Sequence, residues 1–236
     1  MDTLAPATLD AHGLSTREIN DRLRELLDGG AGTVDVLHPG SRHSLAVGFL
    51  DHPGAAVRFR GDVGYFCGGL SDGLDVAVDG NAGWSLGADM MDGSIVVGGN
   101  SGSSTGASMR GGLVVVKGDA GARSAIAGKG GTVVIGGSTG AMSGFMDQRT
   151  TLVVCGDAGE AFGDSMYEGV LYCGGTIADV GSDTLVEGPS ADELAMLAAL
   201  TEPHGLGPAR EWTKVRSAGR LWRYDKREFS VWKEAL

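Results

Sequence analysis

From Ala55 onward the apolar positions come in pairs two residues apart, and the pairs return every 19 residues. One series is Val57, Val76, Ile95, Val114, Val133, Leu152 and Leu171. The other, two places later, is Phe59, Val78, Val97, Val116, Ile135, Val154 and Cys173. Side chains two apart share one face of a strand, so both series point into one core. A short strand repeated at a fixed interval predicts a solenoid, in which one coil buries little and stacking makes a continuous apolar column. Rungs about 4.8 Å apart give seven coils a rod of roughly 30 to 35 Å.

Between the strands, glycine keeps the same register. Gly61, Gly80, Gly99, Gly118, Gly137, Gly156 and Gly175 form the first column. A second follows three residues later (Gly64, Gly83, Gly102, Gly121, Gly140, Gly159) and a third four residues after that (Gly68, Gly87, Gly106, Gly144, Gly163). A coil this short must turn sharply, and glycine permits positive φ or close backbone approach. Asp62, Asn81, Asn100, Asp119, Ser138, Asp157 and Thr176 follow the first glycine. Short polar residues of this kind bond their own backbone and suit turns. Three acids in seven, at this period, do not make a calcium ladder.

The ladder is flanked by two helices. Ser15-Thr16-Arg17-Glu18 reads as a capping box, and Ile19, Leu23, Leu26 and Leu27 give one face of a helix over 15–28 that Gly29-Gly30 ends. Ser190 with Glu193 is a second capping box, opening a helix to about 201 that is expected to cap the open end of the rod. Residues 1–14 read as extended. Strands are expected at 32–37 and 44–50, around a turn holding His38 and His43. Two histidines without a matched third ligand point to a solvated turn rather than a metal. The expected organisation is all-β: an N-terminal α/β segment (1–54), a single-stranded parallel β-helix of about seven 19-residue coils (55–188), and a capping helix with an extended tail (189–236).

One column does not suit an isolated rod. Between the two core series lie Arg58, Ala77, Val96, Val115, Val134, Val153 and Tyr172, pointing outward and mostly apolar. A contiguous apolar strip marks an interface. Either the chain's own terminal segments cover it, the helix at 15–28 being one candidate, or a partner does.

Charge separates the tail from the body. The formal net charge is −11, yet residues 209–236 hold eight Lys and Arg against four acids, leaving −15 on the rest. An acidic body argues against nucleic acid. The tail also holds Trp212, Trp222, Tyr224 and Trp232, a composition typical of interface anchors, so a partner interface is expected there and along Val96, Val115, Val134, Val153 and Tyr172. Cys67, Cys155 and Cys173 have no CxxC spacing and read as buried thiols in a reducing cytoplasm. The N-terminus lacks the pattern of a signal peptide, and no apolar run is long enough for a membrane span.

No P-loop or dinucleotide fingerprint is present, because each glycine turn leads into another strand and not into a helix. Asp2 leaves no N-terminal cysteine nucleophile, and Asp89, Asp147 and Asp164 have no evident partner. No catalytic, cofactor-binding or metal-binding residue is expected, and the residues alone support a scaffold.

The ladder resembles the Gly-x-Gly-x-Gly domain at the C-terminus of the glutamate synthase large subunit, found also as a separate polypeptide of formylmethanofuran dehydrogenase. The coils Gly80-Asn81-Ala82-Gly83-Trp84-Ser85-Leu86-Gly87, Gly99–Gly106, Gly118-Asp119-Ala120-Gly121 and Gly156–Gly163 carry the resemblance. Ser15–Asn20 and Lys214–Trp222 are most similar to the stand-alone β-helix polypeptide of N-methylglutamate synthase. The resemblance implies a right-handed β-helix without catalytic residues. It implies hetero-oligomeric partners: a class II glutamine amidotransferase-like subunit and a glutamate synthase-like subunit with FMN and an iron–sulfur cluster. The reaction implied joins glutamate and methylamine to give N-methylglutamate and ammonia. Glutamate synthase proper, a formylmethanofuran dehydrogenase or formyltransferase complex, and a stand-alone carbohydrate-active β-helix are the alternatives.

Overall fold

The computed structural model describes residues 6–220 and is a parallel β-helix. Nine parallel strands stack in chain order: β1 (Ala7–Asp10), β2 (Thr33–Leu37), β3 (Ala56–Arg60), β4 (Leu74–Val78), β5 (Gly93–Val97), β6 (Leu113–Val116), β7 (Thr132–Ile135), β8 (Thr151–Val154) and β9 (Val170–Cys173). From Ala56↔Asp75 onward the register steps by 19 residues, as the apolar series requires. The two inward columns extend back to Val34 and Val36, and none of their members is more than 2% exposed.

The stack begins before the ladder. Ala7 pairs with Val34 and Thr33 with Ala56, offsets of 27 and 23 residues, so the N-terminal segment supplies the first two rungs. The extra length of the first coil is helix α1 (Thr16–Asp28), capped by Ser15 and Glu18. Its Ile19, Leu23 and Leu27 enter the main core. Asn20 Nδ2 donates to Ser44 O, and Ala46 N–H donates to Asn20 Oδ1, at 2.8 and 2.9 Å. The helix therefore closes the N-terminal end of the rod and is not the cover of the outward column. The strand expected at 44–50 does not form. That stretch is a turn track with left-handed Ser44, Ala46 and Gly48.

The same track recurs in every later coil, as Phe66/Gly68/Leu70, Ser85/Gly87/Asp89, Ser104/Gly106/Ser108, Arg123/Ala125/Ala127, Met142/Gly144/Met146 and Ala161/Gly163/Ser165, all at positive φ. Alternating the backbone sense turns successive amides toward opposite neighbours. Ser85 N–H reaches Ser103 O of the next coil, and Gly87 N–H reaches Cys67 O of the previous one. A left-handed non-glycine residue costs about 1 to 2 kcal/mol. Leaving a buried amide unpaired costs about 1 to 3 kcal/mol, more than that strain at its upper end, so the axial bonds decide the backbone conformation.

The first glycine column answers to a different constraint. Among its members only Gly61 has positive φ. Close approach governs the others, because the polar residue after each glycine bonds forward along the rod. Asn81 N–H donates to Asp62 Oδ1, Asn100 N–H to Asn81 Oδ1, Asp119 N–H to Asn100 Oδ1, Ser138 N–H to Asp119 Oδ1, Asp157 N–H to Ser138 Oγ and Thr176 N–H to Asp157 Oδ1. These bonds are 2.7 to 3.0 Å long and join neighbouring coils, not one turn to itself. A Cβ on Gly118 would collide with Asn100 Oδ1, and one on Gly137 with Asp119 Oδ1.

The C-terminal end is closed by strands. β11 (Thr213–Ser217) runs antiparallel between β9 and β10 (Thr184–Glu187), placing Val215 in the core. Residues 213–217 are thus part of the sheet, which corrects the expectation of an extended tail from 209; removing 209–236 would take out a rung. Helix α2 (Ala191–Thr201), capped by Ser190 and Glu193, lies on the outer face of the sheet instead of across the rod's end.

The close approach at the first glycine column predicts a contrast. Gly118→Ala should destabilise the chain by about 1 to 3 kcal/mol through overpacking. Gly32→Ala, where a Cβ meets nothing within 4 Å, should stay within about 0.5 kcal/mol of wild type. Chemical denaturation measures both, and equal effects would contradict the stacking account.

Candidate functional site

The outward valine column is sealed from within the chain. Val115, Val134 and Val153 are fully buried and Tyr172 is 3% exposed, packed with Leu197, Met196 and Leu200 of α2 and with Leu206 and Trp212. Val96, at the margin of this cluster, is half-buried. The expected partner surface along Val96, Val115, Val134, Val153, Tyr172 and Trp212 is therefore corrected: these side chains serve an internal interface. Trp222, Tyr224 and Trp232 lie outside the described residues.

A charged clamp holds α2 in place. Glu193 Oε1 accepts from the Tyr172 hydroxyl at 2.8 Å and pairs with Lys214 Nζ at 2.7 Å, while its other oxygen accepts from Ser190 N–H. Lys214 also meets Glu187 at 3.1 Å, and Arg216 grips both oxygens of Glu187. One carboxylate thus caps the helix and bolts it to β9 and β11. The Lys214 ammonium, helped by Ser190 N–H and the Tyr172 hydroxyl, lowers the Glu193 carboxyl to about 2. Burial, with Glu193 as acceptor, pushes the Tyr172 phenol up. Two of the cations counted in the basic tail, Lys214 and Arg216, are consumed here.

With that column closed, exposed apolar surface among the described residues is found elsewhere. His43, Tyr65 and Trp84 stack on successive coils, with ring centroids 4.4 and 5.6 Å apart. Tyr65 is 42% and Trp84 57% exposed, and Phe66 and Leu70 on the same track are half exposed. His43 Nδ1 accepts from Tyr65 N–H at 2.9 Å, which fixes the ring at the head of the stack. The residues at coil spacing beyond Trp84 are Ser103, Ala122 and Ala141, so the ring ladder ends there. The 19-residue register could have revealed Tyr65 and Trp84 as one column, but the pair is too short to stand out among seven coils.

Other polar groups have structural partners. His38 Nδ1 lies 3.0 Å from Asp10 and His52 Nε2 lies 2.8 Å from Asp28. Among the described residues no group of three or more His, Cys, Asp or Glu is placed to hold a metal, and no helix is long and apolar enough to cross a membrane. Cys67, Cys155 and Cys173 are free and buried, and burial pushes the Cys67 thiol up to about 12 and that of Cys155 to about 11. Asp89 belongs to the left-handed track. Asp147 is fully buried, and its register position, which holds Met90, Met109 and Met166 in other coils, was the signal for that.

No family model matches the chain. A stretch of 78 residues, one third of the chain, is 39% identical to Protein GlxC of Rhizobium meliloti (strain 1021). The chain spans one third of the length of that relative.

The clamp gives a pH prediction. Because the Glu193 carboxyl is lowered from 4.5 to about 2, its contribution to stability is present above pH 4.5 and is lost as pH falls through about 2. The melting-temperature gap between wild type and Glu193→Gln should be wide at pH 6 and close between pH 4.5 and 2. A constant gap across that range would count against the clamp.

Proposed function

We propose that the chain is the non-catalytic β-helix subunit of a multi-subunit, glutamate synthase-like enzyme, and more specifically of an N-methylglutamate synthase. The glycine ladder carries this reading: its sequence resembles the Gly-x-Gly-x-Gly family, and each of its features has a structural use. The first glycines make room for axial hydrogen bonds, the third column supplies left-handed turns, and the polar residues between them bond the next coil.

In this reading the chemistry belongs to partner chains. A class II glutamine amidotransferase-like subunit and a subunit with FMN and an iron–sulfur cluster would together carry out the exchange of the glutamate amino group for methylamine. The three thiols are free and buried, and among the described residues no group of three or more His, Cys, Asp or Glu is placed to hold a metal. The β-helix would hold the two partners in register. The stacked rings of Tyr65 and Trp84, with Phe66 beside them, are the docking surface, because exposed aromatic anchors dominate interface energetics.

Affinity purification of the full chain from its host should recover two larger chains and an activity that uses methylamine in preference to ammonia. A monodisperse chain with no partner would refute the subunit role, and preference for ammonia would move the assignment to glutamate synthase proper. Tyr65→Ala with Trp84→Ala should change stability by about 1 kcal/mol or less and weaken partner recovery at least tenfold. Undiminished recovery would remove the aromatic surface from the interface.

A further inference from the structure

Polar side chains inside the rod are mostly partnered. Ser101 and Thr105 lie 2.8 Å apart, Thr139 and Ser143 lie 2.9 Å apart, and Thr105, Ser124 and Ser143 each donate to a backbone carbonyl. Asp147 is an exception. It has no exposed surface; its Oδ1 accepts from Thr150 N–H at 2.8 Å, and its Oδ2 has no partner among the described residues.

The carboxyl occupies a place built for an apolar side chain. At the same register position stand Met90, Met109 and Met166, with Gly128 in the coil immediately before. Thr150, in turn, stands where four other coils have Gly93, Gly112, Gly131 and Gly169. The side chain fits because its neighbours are small: a Cβ on Gly169 would come within 2.5 Å of Asp147 Cγ and Oδ2. One and two residues further along the same coils, Lys129, Gln148, Arg149, Tyr167 and Glu168 line an open cavity of about 610 Å³ on the rod's surface.

We propose that Asp147 makes this corner of the rod a pH-sensitive joint: neutral, it packs in the methionine column; ionised, it swings out toward the cavity bordered by Lys129 and Arg149 and loosens the coils on either side. A carboxylate without a counter-charge is poorly tolerated in an apolar interior, whereas two cations wait one layer outside. Burial pushes the carboxyl up to about 7, against the pull of the Thr150 N–H and hydroxyl and of the Arg149 N–H, so the change falls near neutral pH. The titratable groups lining the adjoining cavity are Lys129 on the preceding coil, Arg149 on the same coil, and Tyr167 and Glu168 on the following one. Glu168 holds Arg149 at 3.1 Å. The backbone bonds at stake are Gln148 N–H to Gly128 O, Tyr167 N–H to Asp147 O and Glu168 N–H to Gln148 O. Because this carboxyl is raised from 3.8, its packing contribution is complete below that value and is lost as pH rises through about 7.

Hydrogen–deuterium exchange of the full chain between pH 5.5 and 8.5, corrected for intrinsic exchange, tests this. Peptides covering 144–150 and 165–170 should lose about tenfold in protection per pH unit as pH rises toward 7 and level off above it, while a peptide covering 93–112 stays constant. Asp147→Asn, and Asp147→Met as a second variant that places the residue of the following coil, should both give flat profiles. A flat profile in wild type would overturn the proposal, as would a pH response that persists in either variant.

Discussion

Each coil is joined to the next by hydrogen bonds that run along the rod axis, and those bonds demand that the backbones lie almost in contact. The side-chain oxygen of Asn100 takes the amide of Asp119, that of Asp119 takes the amide of Ser138, and so on at intervals of 19 residues. Gly118 and Gly137 are empty at Cβ because those oxygens need the space. On the turn track the same demand is met by reversing φ at alternate residues, even where the side chain is Phe66, Arg123 or Met142. Local preference yields to axial pairing because a buried amide without a partner costs more than a left-handed residue whose amide is bonded.

This constraint determines what the rest of the chain has to do. A stack of coils leaves two open ends and one flat outer sheet face. Helix α1 closes the N-terminal end, β11 and β10 close the other, and α2 lies over the valines, clamped by Glu193 to Tyr172 and Lys214. The terminal segments are therefore structural before they are functional. The aromatic track at Tyr65, Phe66 and Trp84 is an uncovered apolar surface among the described residues, on coils where the 19-residue register is already established.

Much of this was legible in the sequence, and the illegible part has physical causes. The coil period, the two inward columns and both capping boxes could be read directly, because each depends on local spacing. The first two rungs could not, since offsets of 27 and 23 residues hide them from a search at 19. The left-handed track was invisible where serine, arginine or methionine takes the position of glycine. The valine column announced a cover without saying whose, because an apolar strip looks the same under a helix of its own chain as under a partner. β11 was read as tail because its Lys214 and Arg216 look like free charges until Glu187 and Glu193 are placed beside them.

The central claim is that this chain is a self-sealed rod that mounts other chains' chemistry by its aromatic track. Electron cryomicroscopy of the assembly purified from its host tests it most directly. The account predicts partner density against Tyr65, Phe66 and Trp84, with α2 still seated on Val115, Val134 and Val153. Partner density on those valines with α2 displaced, or particles of this chain alone, would contradict it.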